Sequence, residues 1–282
     1  MSSRYRRVIH WKISCLAALA VASTTACGDD SGGGEGGTDE AGEEGGTDGS
    51  PAPEPGAPAA GWSSDYADGG VGLSCDDDRA TLDGKGVPNV SEGERALYVG
   101  FEQIGDNQNP IVIGFDGDAQ QFCERHETEG PDGRAVGLTW DGGAVAYLVY
   151  TIVGGGSSLE GKGGWLSAYA PGAISGGGPK VSVVGKVNAD TGALDSASFI
   201  ISVKSDGKVN SHNPRAAPTV LEDGSVEFLG SSAHKPIDAN GQASMDCTDY
   251  PFDTRYVLSE DLGALVCASS SNCAAELECE GA

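Results

Sequence analysis

The sequence predicts an all-β domain over residues 62–282, and three observations lead there. Short segments rich in Val, Ile, Tyr and Phe recur at close intervals, separated by turn residues. Asp-Gly or Asp-x-Gly marks stand at 116–117, 141–142, 190–192, 206–207 and 223–224, where Asp-Gly supplies a positive φ cheaply between strands. Glycine is heavy: 33 of the chain's 45 fall in these residues, and glycine is costly inside helices but useful at sharp turns.

In order, the candidate strands are Arg95–Phe101, Ile111–Phe115, Ala135–Trp140, Ala144–Val153, Trp165–Ala170, Lys180–Val187, Ser196–Lys204, Thr219–Leu221, Ser225–Gly230, Arg255–Ser259 and Ala264–Ala268. Lys180-Val-Ser-Val-Val and Ser225-Val-Glu-Phe alternate as half-buried strands do. Ala144–Val153 is apolar on both faces, which suits an inner strand covered on each side and marks the centre of the core. Helix is scarce, with Gln120–Arg125 and Glu276–Cys279 the short possibilities.

Two hairpins share a pattern. Leu138-Thr-Trp-Asp-Gly-Gly-Ala-Val-Ala-Tyr147 and Val220-Leu-Glu-Asp-Gly-Ser-Val-Glu-Phe228 both place Asp-Gly between an apolar residue and a Val-x-aromatic, and Tyr256–Val266 is a looser third copy. Thr219–Ser232 resembles one hairpin of the repeats in bacterial surface β-propellers. That resemblance implies a small or irregular propeller-like array of hairpins; a β-sandwich is the alternative.

The N-terminal residues read as an address. Arg4, Arg6, Arg7 and Lys12 precede a short apolar run from Ile13 to Ser23, the basic and apolar regions of a secretory signal. That run is shorter than the roughly 20 residues that span a bilayer. Thr24-Thr25-Ala26-Cys27 resembles a bacterial lipobox, with Thr24 where Leu is usual. The resemblance implies a signal peptide over residues 1–26 and diacylglycerol on the Cys27 thiol. Residues 27–61 then form a linker: Gly28–Gly61 holds twelve Gly and nine acids, with no Lys or Arg. Such a segment buries too little to offset ordering its backbone and is expected to be disordered, spanning on the order of 30 Å as a coil.

Charge and cysteines bound what the domain does. Residues 62–282 carry 33 acids against 13 Lys and Arg, a field that repels nucleic acid, so no nucleic-acid partner is expected. Of eight cysteines, Cys15 belongs to the signal and Cys27 to the lipid. The remaining six, Cys75, Cys123, Cys247, Cys267, Cys273 and Cys279, are an even set suited to disulfides in an exported domain, with fifteen possible pairings. If Asn272–Cys279 were helical, Cys273 and Cys279 would lie about 9 Å apart, too far to pair.

No catalytic motif stands out. His126, His212 and His234 have no metal-ligand spacing, and neither a nucleophile elbow nor a phosphate-cradling glycine loop occurs. Asp116 and Asp118, or Asp76–Asp78, could offer oxygens to Ca²⁺, though turn chemistry explains them better. Trp140, Trp165 and Tyr169 could form an apolar platform for sugar or protein, and core packing is the competing reading. The expectation is a lipid-anchored envelope protein that binds or scaffolds without catalysis, through loops at one end of its sheets, its partner an envelope protein or glycan. The alternative is an envelope hydrolase of glycan or peptide using carboxylates in a cleft, for which Glu222 and Asp223 are the candidate pair.

Overall fold

In the computed structural model, residues 56–126, 132–153, 158–168 and 180–279 are described. Three antiparallel sheets, each built largely from successive hairpins, form the body of the domain. After strand β1 (Ser63–Tyr66) and the short helix α1 (Arg79–Lys85), the first sheet is a meander of β2 (Asn89–Glu92), β3 (Arg95–Ile104), β4 (Asn107–Asp116) and β5 (Ala119–Arg125). The second comprises β6 (Gly133–Trp140), β7 (Val145–Val153), β8 (Lys180–Asn188) and β9 (Leu194–Ile200), with β1 paired outside β6. Next come the short strands β10 (Ser202–Val203) and β11 (Val209–Asn210). The third sheet takes β12 (His212–Pro214), β13 (Thr219–Val220), β14 (Val226–Ser232), β17 (Phe252–Leu258) and β18 (Leu265–Ser270); β15 (Lys235–Pro236) extends the β10–β11 pair, and β16 (Asp246–Cys247) pairs β19 (Cys273–Ala274).

The middle sheet lies between the other two, because its strands are apolar on both faces. On β7, Leu148 and Tyr150 are fully buried on one face and Tyr147 and Val149 on the other. The Tyr150 side meets the first sheet, where its hydroxyl bonds His126 just beyond β5; the Tyr147 side meets the third, where its hydroxyl donates to Glu260 O. Val90, Leu97, Val99 and Val112 of the first sheet and Val226, Phe228 and Tyr256 of the third join the middle strands in one core. Ala144–Val153 is thus the centre of the core, as its unbroken apolar run indicates. This is an irregular all-β array of hairpins stapled by disulfides, and no sheet closes into a barrel among the described residues.

Outer faces need their own covers. Tyr98, Ile111, Ile113 and Phe115 point away from the middle sheet and are covered by Leu73, Val87 and α1, through Leu82. Helix α1 is held at its start by Asp78, which accepts from Thr81 N, and ended by Gly86 at φ 66°. Cys75 pairs with Cys123 and ties this cover to β5. On the outer face of the third sheet, Val257 and Cys267 pack with Leu221 and Cys279. Cys267–Cys279 and Cys247–Cys273 staple the C-terminal segment there, so all six cysteines are paired.

Some sequence expectations are corrected. Gln120–Arg125 is part of strand β5, not a helix: pairing with β4 overrides its polar, helix-tolerant composition. Residues 165–168 of the expected strand Trp165–Ala170 are turn and irregular chain, and the rest lies outside the described residues. Asn272–Cys279 is a short strand followed by a turn, not a helix; Cys273 and Cys279 still take different partners. The helix Arg79–Lys85 was not expected, although its Asp78 cap and terminal Gly86 were visible in the sequence. The signal segment, Cys27 and Tyr169 lie outside the described residues.

Candidate functional site

The three hairpins that share a sequence pattern also share a turn design. Asp141 Oδ1 accepts from Gly143 N at 2.8 Å, Asp223 Oδ1 from Ser225 N at 2.9 Å, and Asp261 Oδ1 from Gly263 N at 3.0 Å. The middle residue of each has positive φ: Gly142 at 85°, Gly224 at 84° and Leu262 at 63°. Leu262 is the costly member, about 1–2 kcal/mol for an L-residue in that conformation, offset by complete burial of its side chain in the core.

Stacking of the sheets brings these three turns to one place. Asp141, Gly143, Ala144, Val145 and Tyr147, with Val220, Leu221, Glu222 and Gly224 and with Glu260, line a pocket of about 380 Å³. A fourth wall comes from the segment that enters the domain. Ala59 N donates to Val220 O at 2.8 Å and Glu222 N to Ala57 O at 2.9 Å, so residues 57–59 lie along β13 ahead of the expected start at Trp62. This seats Trp62 in the pocket, its ring 5.8 Å from that of Tyr147.

The pocket's field is negative. Asp141, Glu222 and Glu260 line it, and Asp223 and Asp261 sit in the adjoining turns. Lys186 Nζ reaches Glu260 at 3.2 Å and lies 5.9 Å from the Tyr147 ring centre. Burial raises the Tyr147 phenol's pKa, and the charges of Glu260, Asp261 and Asp141 raise it further. Bonds from Ser259 and Gly263 hold the Asp261 carboxyl below its ordinary range, and bonds from Ser225 do the same for Asp223. Both therefore stay ionised through neutral pH.

No protein-family profile, curated protein or solved structure matches this chain. The chemistry of the site therefore rests on its own residues.

Among the described residues no histidine lines the pocket. His126 bonds Tyr150 Oη at 2.7 Å and Gly192 O at 2.6 Å, and burial holds its pKa down to about 4. His212 lies in the core against Phe228 and Tyr256, its pKa pushed down to about 3 by burial. Both are neutral structural groups. Glu222 is exposed at the pocket rim, whereas Asp223 is committed to its own turn, so the two do not form an acid–base pair facing a cleft.

Of the expected aromatic platform, Trp140 and Trp165 are engaged within the fold, and Tyr169 lies outside the described residues. Trp140 is fully buried; its Nε1 donates to Gly143 O at 2.8 Å, and the Arg95 guanidinium lies 4.9 Å from its ring centre. It supports the β6–β7 turn from beneath. Trp165 packs on Tyr256 at 6.0 Å and donates to Ala239 O at 2.9 Å. Burial in the core takes Trp140, and packing on Tyr256 with a bond to Ala239 O takes the half-buried Trp165. Asp116 ends β4 and Asp118 lies in the turn to β5, and both are exposed. Among the described residues no three His, Cys, Asp or Glu side chains gather as metal ligands, so the Ca²⁺ suggestion at Asp116 and Asp118 finds no support in the geometry.

Sequence reasoning missed Trp62, Tyr147, Asp141, Glu260 and Lys186. The shared turn pattern was the available signal, because it marked the three hairpins whose ends meet. A larger groove of about 660 Å³ lies on the third sheet's outer face; of its charged lining, Arg215 pairs with Asp253 at 2.7 Å and Arg255 with Glu227 at 2.5 Å.

Proposed function

We propose that this protein is a lipid-anchored binding module of the cell envelope that engages its ligand, without catalysis, in the pocket at the hairpin ends. The observation that carries the reading is the convergence of three like-built turns and the entering segment on one pocket that Trp62 walls and that, among the described residues, no histidine lines. An anionic ligand is disfavoured by the carboxylates there, which leaves neutral glycans or cationic groups. The basic and apolar N-terminal residues and Thr24-Thr25-Ala26-Cys27 support export and attachment through Cys27. Among the described residues no helix is long and apolar enough to cross a membrane.

Two measurements test this. The native product, analysed by mass spectrometry, is expected to lack residues 1–26 and to carry fatty acyl chains at Cys27; a product retaining Met1 without acyl chains refutes the anchoring. The domain, presented to immobilised envelope glycans and envelope proteins, is expected to be retained in a manner abolished by Trp62→Ala, with no new products in the eluate. Hydrolysis of a glycan or peptide by the purified protein would establish the hydrolase alternative instead.

A further inference from the structure

The walls of the pocket are matched to a particular kind of ligand. Trp62 presents a half-buried aromatic ring backed by the almost fully buried Tyr147, and a ring face attracts cations through its quadrupole. Tyr147 already does so for Lys186 of the same chain. That lysine pairs with Glu260 and its charge also reaches Asp261; among the described residues no cation pairs with Asp141 or Glu222, which stand on the same pocket. A neutral sugar could stack on the Trp62 ring and donate its hydroxyls to the carboxylates, but it would leave their negative charge uncompensated. An ammonium group satisfies ring and carboxylates together.

We propose that this pocket binds the ammonium head of a small organic cation, between the Trp62 ring and the carboxylates of Asp141 and Glu222. The proposal rests on reading the pocket as the ligand site and names the chemical class it takes. The cavity of about 380 Å³ is roomier than one ammonium head requires, so the rest of the ligand can extend along the β13 side, where Val220 and Leu221 form the wall. Glu222 lies in the exposed turn on the pocket, its backbone N–H donating to Ala57 O.

The test is calorimetric titration of the purified protein with choline chloride and with 3,3-dimethylbutan-1-ol, its neutral isostere, at matched ionic strength. Choline is expected to bind about tenfold or more tightly than the alcohol, since the shapes agree and the charge alone differs. Trp62→Ala should abolish the heat of binding, while Trp62→Phe, which keeps a ring face and fills the same wall, should retain part of it. Glu222→Gln, which removes charge but not shape, should weaken choline several-fold and leave the alcohol unchanged. Equal affinity for the two probes, or choline binding indifferent to Glu222→Gln and Asp141→Asn, overturns the proposal. If choline fails to bind but a neutral glycan is retained through Trp62, the ammonium assignment falls and the binding module stands. If neither is retained, both fall.

Discussion

The most demanding prediction concerns His212 and acid. Its imidazole is fully buried, with Nε2 2.8 Å from Thr254 Oγ1 and no partner for Nδ1. A proton on that ring would place an unpaired charge between Phe228 and Tyr256, so the folded-state pKa falls to about 3 from an ordinary 6.5. The unfolded chain takes up a proton near pH 6.5 and the folded chain does not until about pH 3. The stabilisation is therefore complete above pH 6.5 and is lost as pH falls below it, at about 1.4 kcal/mol per unit. His126, held down to about 4, adds a second such proton. By pH 4.5 the two together remove about 5 kcal/mol, a large part of the roughly 5–15 kcal/mol that holds a domain folded. The assay is urea unfolding, disulfides intact, at steps from pH 7.5 to 4.5. Between pH 6 and 5 the slope should approach about 2.7 kcal/mol per pH unit in the parent and about 1.4 in His212→Gln, which cannot titrate. The slope is informative even though the substitution itself lowers stability. A flat profile in the parent, or an unchanged slope in His212→Gln, would refute the reasoning.

Other expectations follow from backbone geometry and cross-links. A Cβ at Gly100 would lie 2.1 Å from Leu73 Cδ2 and 2.3 Å from Val71 O, so Gly100→Ala should cost about 1–3 kcal/mol, read as a lowered Tm. Asn272 and Leu262 both hold positive φ, at 62° and 63°, but only Leu262 is buried. Asn272→Gly should be neutral or stabilise by a few tenths of a kcal/mol, whereas Leu262→Gly should cost about 2–4 kcal/mol through the cavity it leaves; equal effects in denaturant titrations would contradict this. Replacing Cys267 and Cys279 together by Ala opens a bridge of sequence separation 12, with an expected loss of about 3 kcal/mol. Amide exchange should accelerate first in Leu265–Ser270; uniform acceleration would show that the staple acts on the whole domain.

Legibility followed the range of the interaction responsible. The marks Asp116-Gly117, Asp141-Gly142 and Asp223-Gly224 were readable because a positive φ involves only neighbouring residues, and all three are hairpin turns. The run Ala144–Val153 announced a strand covered on both faces because side chains alternate whatever surrounds them. Gln120–Arg125 was misread because pairing with β4, not composition, makes it a strand. Trp140 was a plausible platform residue until the sheets enclosed it, Trp165 until it packed on Tyr256, and Trp62, at the end of a Pro- and Gly-rich stretch, gained its place only when residues 57–59 docked on β13.

By itself, then, the sequence determined the all-β character, the turns, the centre of the core and the even set of cysteines, since these depend on backbone preference, side-chain period and parity. Tertiary structure alone decided which cysteines pair, which histidines are stripped of water, and that three turns spread from Asp141 to Gly263 surround one pocket with Trp62. Those outcomes depend on how sheets stack, and stacking joins residues through space that no local preference connects.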